Sequence, residues 1–558
     1  MERKWWQDAI IYQVYLRSFK DSNNDGIGDF QGLISKLDYF SDLGIDAIWV
    51  SPHYESPMDD NGYDISDYFK VSKDYGTIED CKEFIEKAHE RNIKVIFDLV
   101  LNHTSDEHVW FEMAKDPNHP EHKKYHDYYI WQPPKYDEVG NKMMPTNWRS
   151  WFGGPVWEYN EATNEYYLHI FSKKMPDLNW RNEDMKNELK SVTKWWIDLG
   201  VDGFRVDASN HLEKNWDFPD AHPGYEHFSS LPKHHDYLEE MGVELFKPND
   251  VMAMGEAGGA SKEEAIKYCG FKNDEFDMLI HFGHVWADCD DDNHLTPGKW
   301  AKGELHVENI KHSFNRWHKM LDNEGWNLIY WHNHDHPRVL SHYGSEDFRK
   351  LSGTMLGYTL YLMPGTPICY QGEEIGMTNV DYSKWTDFRD VEVYTEYDNF
   401  KSFGASHDVA MQALRDRSRD NARNPFQWND SLYAGFSNVT PWMNVVNNYK
   451  ELNLENEQKD DASIYNTYKK LFKLRKDLNI ANGKMDFIDI ESKDSYIYTN
   501  KVDTSTLLVI ANFRSNEIKV RLDIDLDNFE YFMGNSNERS VQNNMTLSPY
   551  ETMIYIKK

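Results

Sequence analysis

Several apolar runs in this chain stop abruptly in groups that can do chemistry. KVIFDLVLNH carries Asp98 and ends in Asn102 and His103; VDGFRVDA carries Arg205 and Asp207. VMAMGE ends in Glu256, and NLIYWHNHD ends in His334 and Asp335. Two carboxyl groups can divide one reaction between them. One protonates a leaving oxygen while the other attacks or stabilises an electron-poor carbon, as in glycoside hydrolysis. Arg205, two residues before Asp207, suits that role, because a neighbouring cation keeps a carboxylate ionised. Glu256 follows the apolar residues VMAM, a setting that favours a protonated carboxyl and hence a general acid. Any one of these residues could belong to a structural ion pair. The whole set, each member at the end of an apolar run, is poorly explained that way.

These groups need a scaffold that brings strand ends together. Short β-rich runs alternate with helical patterns through most of the chain. IIYQVYLRSF, over residues 10–19, reads as the first strand. GLISKLDYFSDLG places Leu33, Leu37 and Phe40 on one helical face and ends at Gly44, a C-cap candidate. Thr77 and Asp80 resemble a capping box before Phe84, Ile85 and Ala88. Leu189, Val192, Trp196 and Leu199 form a stripe ending at Gly200. Eight β runs separated by helical patterns predict an α/β fold, a (β/α)8 TIM barrel, whose chemistry lies at the C-terminal ends of its strands. No glycine-rich dinucleotide fingerprint follows any run. Residues 104–173 interrupt the alternation with aromatics, Pro and Asn, and predict an inserted domain after the third strand that covers the site. TLLVIANF, IKVRLDIDL and MIYIKK predict a C-terminal antiparallel β domain over 481–558. The barrel then takes 1–103 and 174–480.

The 558 residues carry a formal net charge of −33, which makes nucleic acid an unlikely partner and leaves neutral ligands unaffected. No apolar stretch is long enough to span a membrane. MERKWWQDAI lacks a signal-peptide core, so a cytoplasmic location is expected. Cys81, Cys269, Cys289 and Cys369 fit neither a disulfide framework nor a zinc motif, and read as reduced thiols. The run from Asp288 to Asp292 reads as a solvated loop. Trp110, Trp131, Trp148, Trp151 and Trp157 in the insert either stack on sugar rings or fill a small core.

After the first predicted strand, Asp21, Asn23, Asp25 and Asp29 occupy positions 1, 3, 5 and 9 of a loop. Gly26 stands at position 6 and the Ile27 carbonyl at position 7. This fits an oxygen-ligand cation loop, although position 12 is Gly32 and not the bidentate Glu. A plain turn reads equally from the pattern.

DLVLNH, GFRVDASNH, GEAGG and WHNHDHPR, in this order, resemble the four strand-end motifs of the α-amylase superfamily, glycoside hydrolase family 13. WWQDAIIYQVYLRSF, DDNGYDISDY, PDLNW, QGEEIGM and SRDNARNPFQW are similar to its oligo-1,6-glucosidase, dextran glucosidase and bacterial α-glucosidase branch. The resemblance implies Asp207 as nucleophile, Glu256 as general acid/base and Asp335 as the carboxylate that grips the sugar ring in the transition state. It implies that Asp60, Tyr63, His103, Arg205, His334 and Arg419 bind the terminal glucose, with an Asp–Arg pair closing the pocket. Glu392 would contact the leaving sugar. The implied activity is a retaining exo-acting α-glucosidase on short α-1,4- or α-1,6-linked oligosaccharides, with some transglycosylation. No cofactor is implied for catalysis, and a structural Ca²⁺ or Mg²⁺ is implied at Asp21, Asn23, Asp25, Ile27 and Asp29. The implied partner is a small oligosaccharide, and the chain is expected to be a monomer or weak homo-oligomer.

Departures from the branch bear on linkage. Ala208 follows the nucleophile where α-1,6-specific members usually carry Val. Met175 precedes PDLNW where Gln is typical. Ala257 and His336 also differ near the leaving-sugar side. Together they lean toward useful α-1,4 activity. The sucrose-isomerase motif RLDRD is absent. An α-glucosyltransferase, a phosphorolytic relative or a trehalose-6-phosphate hydrolase shares the same carboxylates; Lys173 and Lys174 keep the phosphorylated substrate open. A catalytically dead scaffold would have lost one of Asp207, Glu256 and Asp335.

Overall fold

Eight parallel strands hold the residues singled out above. They are β1 (Ile11–Val14), β2 (Ala47–Val50), β3 (Lys94–Val100), β4 (Gly203–Asp207), β5 (Met252–Glu256), β6 (Met278–Ile280), β7 (Leu328–Tyr330) and β8 (Thr366–Tyr370). The computed structural model describes residues 3–558. The strands pair in the order β6-β5-β4-β3-β2-β1-β8-β7, a sheet nearly closed into the expected barrel. Register brings Arg205 beside Asp98, Asp207 beside Val100, and Glu256 beside Ile280. The chemistry-bearing ends therefore share one rim.

Side-chain alternation divides the strands between two cores. Ile11, Trp49, Ile96, Met254, Met278, Leu328 and Ile368 fill the barrel interior. Tyr12, Ile48, Phe97 and Phe204 face outward and pack in the larger core with the surrounding helices. Burying each such side chain contributes roughly 1.5–3 kcal/mol, which fixes the register because a one-residue slip would exchange the faces.

The helix signals held, with local differences. The first strand stops at Val14, and Leu16–Ser18 is a 3-10 turn that carries the chain to the cation loop. The 32–44 stretch is two helices, Phe30–Ile34 and Leu37–Leu43, whose Leu33, Leu37 and Phe40 are buried. Gly44 closes the second at φ 90°. Thr77 and Asp80 form the capping box of helix Ile78–His89. Leu189, Val192 and Trp196 are the buried stripe of helix Glu183–Asp198.

Between β3 and β4 lie two short helices, Val109–Ala114 and His122–His126, and a three-stranded antiparallel sheet. Trp110, Trp131, Trp148 and Trp157 are buried, whereas Trp151 is 38% exposed. A bridge between His103 and Asp177 ties the segment's exit to its return. The C-terminal strands form a five-stranded antiparallel sheet and a two-stranded one. All four cysteines are free, and Cys289 alone is half-buried. Asp288 departs from the solvated-loop reading. It is buried and paired with His342 and Arg417, both at 2.9 Å. Asp290, Asp291 and Asp292 are exposed as expected.

Candidate active site

Arg205 is the hub of the barrel rim. It projects from β4 fully buried, with Nη1 donating to Asp98 Oδ1 at 2.7 Å and to Asp207 Oδ1 at 2.6 Å. Its Nη2 contacts Glu256 Oε2. One guanidinium therefore spans both carboxylates at the ends of β4 and β5. The apolar surround expected for Glu256 is not met on this side. Side chains of adjacent strands that point to one face stand within reach of each other, and register brings the cation of β4 up to the carboxylate of β5. The Glu256 contact is an ion pair without hydrogen-bond geometry. Burial pushes the carboxyl of Asp207 up, Arg205 pulls it down, and Asp335 pushes it up again.

Asp335 sits among cations. Arg423 Nη2 donates to its Oδ1 at 3.0 Å, Arg419 Nη1 approaches the same oxygen at 3.5 Å, and His334 Nε2 lies 3.2 Å from Oδ2. Burial alone would raise this carboxyl, but the guanidinium groups of Arg419, Arg423 and Arg205 outweigh it and hold it well below the usual range. His334 is fixed from both sides. Gln13 Nε2 reaches its Nδ1 at 2.8 Å, and Tyr63 OH reaches its Nε2 at 2.7 Å, with the two rings stacked at 2°. Burial drives the imidazole to the neutral form.

A second carboxylate–guanidinium cluster closes the far end. Arg419 is gripped by Asp390 through Nε at 2.7 Å and Nη2 at 2.5 Å, and Nη2 also donates to Asp60 Oδ1 at 2.9 Å. Its guanidinium lies 4.9 Å from the Phe152 ring. Burial raises Asp60 to about 7, against the pull of Arg419 and Arg423. His103 is buried at the end of β3, with its Nε2 unpartnered. Burial depresses its pKa to about 3, so the neutral ring presents one free nitrogen to the cavity. Behind it, the fully buried Lys214 donates to Asn102 Oδ1 at 2.8 Å and pairs with Asp177 at 2.7 Å.

These groups line a cavity of about 1100 Å³. Asp60, Tyr63, His103, Asp207, Ala208, Glu256, His334, Asp335, Glu392 and Arg419 all face it, whereas Arg205 lies behind the carboxylates it holds. Glu392 is buried and accepts from Lys299 Nζ at 2.6 Å. Ala208 adopts a left-handed conformation, φ 47°, directly after Asp207. Met175 and His336 line the cavity as well; Ala257 does not, being packed in the core. Lys173 and Lys174 are also absent from the lining. The lining cations are Arg149, Lys299 and Arg419, against seven carboxylates, a balance that favours a neutral ligand. Gln13, Asp390 and Arg423 were not anticipated. The only available signal was Arg423 within SRDNAR and Asp390 beside Glu392 in RDVEVY.

The loop over Asp21–Asp29, expected to hold a cation, lies outside this cavity. Asp21 is buried, and its carboxylate accepts from the backbone N–H of Asn23, Asn24 and Gly26. Asp29 caps the helix at Gly32 and binds Ser22. Asp25 accepts from Asn23 Nδ2 at 3.0 Å and from the Ile27 N–H at 2.8 Å. The loop's oxygens thus suit a hard cation in kind. Among the described residues no group of three or more His, Cys, Asp or Glu side chains is placed to hold a metal.

Comparison with known proteins gives the family. The family model for the alpha-amylase catalytic domain matches residues 13–483. The chain is 43% identical to an oligo-1,6-glucosidase of Bacillus cereus, with both chains covered completely. It superposes on a trehalose-6-phosphate hydrolase of Bacillus licheniformis with a TM-score of 0.92 at 38% identity, and on an isomaltulose synthase of Erwinia rhapontici with 0.93 at 36%, each covering all of both chains. Enzymes of this family need no catalytic cofactor. Among the described residues no helix is long and apolar enough to cross a membrane. The barrel, the rim of carboxylates around Arg205 and the match over 13–483 lead to one conclusion: this chain belongs to the alpha-amylase family of glycoside hydrolases.

Proposed function

We propose that the chain is a retaining, exo-acting α-glucosidase that releases glucose from the non-reducing end of short α-1,4- or α-1,6-linked gluco-oligosaccharides. The observation that carries this reading is the single guanidinium of Arg205 held between Asp207 and Glu256. Both carboxylates reach one guanidinium from the ends of neighbouring strands, which suits the short separation, about 5–5.5 Å, that direct attack in a retaining enzyme requires. In this reading Asp207 attacks the anomeric carbon while Glu256 protonates the glycosidic oxygen. Glu256 then takes a proton from water, whose oxygen bonds to the anomeric carbon as the bond to Asp207 breaks, which releases glucose and restores both carboxyl groups. A sugar hydroxyl in place of that water gives transglycosylation.

Asp335, kept anionic by Arg423 and Arg419, holds the ring hydroxyls as positive charge develops. Tyr63, His103 and His334 position the ring, and Arg205 acts on it only through the carboxylates it holds. The Asp60–Arg419 pair walls off the pocket, so a chain enters only by its end. Residues 104–173 are assigned as the inserted domain over the pocket, to which Trp151, Phe152 and Phe171 contribute lining. The barrel takes 1–103 and 174–480, and the C-terminal β domain 481–558. A structural Ca²⁺ or Mg²⁺ at Asp21, Asn23, Asp25, Ile27 and Asp29 would brace the loop after β1 and take no part in bond cleavage. The chain is assigned to the cytoplasm as a monomer or weak homo-oligomer.

The paucity of lining cations disfavours a phosphorylated sugar, which supports a plain oligosaccharide over trehalose 6-phosphate. Proton NMR of the first glucose released from maltose and isomaltose tests the reading. The α-anomer is expected first; initial β-glucose, or no release from either sugar, refutes it.

A further inference from the structure

The ion pair buried behind His103 is a poor source of stability. Lys214 and Asp177 are fully enclosed, with Nζ 2.7 Å from Asp177 Oδ2. An apolar pair of the same volume often serves a fold as well or better. What only a cation can do is dictate how its neighbours turn. An ammonium offers N–H groups and no lone pair. Lys214 Nζ donates to the His211 carbonyl at 2.6 Å and to Asn102 Oδ1 at 2.8 Å.

The consequence passes from contact to contact. With Oδ1 turned to Lys214, the Asn102 amide nitrogen faces the Asp177 carboxylate, which only accepts, and His103 Nδ1 at 3.2 Å. Nδ1 must therefore receive that N–H on its lone pair. Burial and the Lys214 charge together keep the His103 ring neutral. A neutral imidazole carries one proton, and here it is left to Nε2. Nε2 has no hydrogen-bond partner among the described residues, and the ring lines the cavity. The Tyr63 carbonyl, acting on the ring from outside hydrogen-bond geometry, favours the same N–H. The ring thus keeps a donor, not an acceptor, for a hydroxyl oxygen. The backbone here is fixed separately. Leu178 N–H donates to the Asn102 carbonyl at 2.8 Å, and Tyr68 OH to the His103 carbonyl at 3.2 Å. The Asn102 amide is therefore not needed to hold the loop.

We propose that Lys214 and Asn102 are positioning residues that fix His103 as its Nε2–H tautomer, so that the ring donates a hydrogen bond to the bound glucosyl unit. The proposal rests on the α-glucosidase reading above. The test is kcat/KM on maltose and isomaltose for the wild type, Asn102→Ala, Lys214→Met, His103→Phe and the Asn102→Ala/His103→Phe double variant, each checked for folding by thermal melting. His103→Phe keeps a ring of similar shape and removes both nitrogens. Each single variant is expected to lose about tenfold on the better sugar, the size of one well-aimed hydrogen bond. In the His103→Phe background, Asn102→Ala should cost less than about twofold, because its effect runs through a nitrogen already gone. A merely structural amide would cost the same in both backgrounds. If Lys214→Met does not fold once Asp177 has lost its partner, Asn102→Ala and the cycle carry the test. A wild-type kcat/KM in any folded single variant, or an equal loss in both backgrounds, overturns the relay and leaves the glucosidase reading standing. No hydrolysis of either sugar by the wild type overturns both.

Discussion

Arg205 on the pocket floor and Arg149 on its outer wall are the same residue type in opposite circumstances. Arg205 is fully buried and touches three carboxylates, Asp98, Asp207 and Glu256. Among the described residues the Arg149 side chain makes no hydrogen bond or ion pair, and its charge acts only at longer range on Glu396 and Tyr225 at the pocket mouth. A buried guanidinium costs several kcal/mol to desolvate, so it persists only where carboxylates answer it. Such a network has one arrangement and presents fixed charge to the reacting atoms. The outer wall carries little fixed charge and keeps its donors and acceptors for whatever enters. The floor is therefore expected to set reaction and ring identity, and the wall to set linkage.

The largest break in that contrast is Asp207→Asn. Turnover should fall on the order of 10⁴-fold or more, because the carboxylate proposed as nucleophile is lost while shape is kept. Steady-state hydrolysis and a melting curve check it; near-normal activity in a folded variant removes Asp207 from its assigned role.

Arg423→Met cuts one cation from Asp335. Breaking one partner of a buried pair costs about 3–5 kcal/mol, and kcat/KM should drop by about 10²–10³-fold. The sign in pH follows from the cause. Asp335 is held low by Arg419, Arg423 and Arg205 against burial, so removing Arg423 raises its pKa. The anionic form is then lost earlier as pH falls, and the acid limb of the kcat/KM profile should move to higher pH. An unmoved limb would mean that Arg423 has only a structural role.

Ala208→Val sharpens the boundary between floor and wall. The residue lines the cavity in a left-handed conformation, where a β-branched side chain is strained by about 1–3 kcal/mol. The added methyls narrow the space beside Asp207, so the maltose-to-isomaltose ratio of kcat/KM should fall several-fold, by about 1 kcal/mol of discrimination. An unchanged ratio would place linkage control elsewhere. The smallest effect is expected from chelation. Removing an ion from the loop at Asp21–Asp29 should lower Tm by about 1 °C, roughly 1 kcal/mol for a chain of this size, and leave the maltose-to-isomaltose ratio unchanged. No shift in Tm and no bound metal by elemental analysis would make the loop a plain turn, as its internal hydrogen bonds also allow.

Much of this was legible beforehand, because the barrel follows from local rules. Asp207, Glu256 and Asp335 announce themselves as charges ending apolar runs, and Asp98 as a charge inside one, which a strand rim tolerates. The capping box at Thr77 and the stops at Gly44 and Gly200 depend on neighbours within a few residues. Asp390 and Arg423 were less accessible, since they sit in polar stretches where a charge is unremarked. Trp151 was indistinguishable from the four other tryptophans of its segment, for aromatic spacing does not say which ring stays uncovered.

The sequence by itself determined the order of elements, the set of strand-end carboxylates and the family they belong to. Those are properties of periodicity and of short motifs, carried within a few residues of chain. Only the tertiary structure decided that Arg205 stands between Asp207 and Glu256, that Arg419 is clamped by Asp60 and Asp390, and that Arg149 is unpaired. Each is a question of which charge meets which across tens or hundreds of residues. The register of the barrel and the approach of its loops answer it, and no local pattern records either.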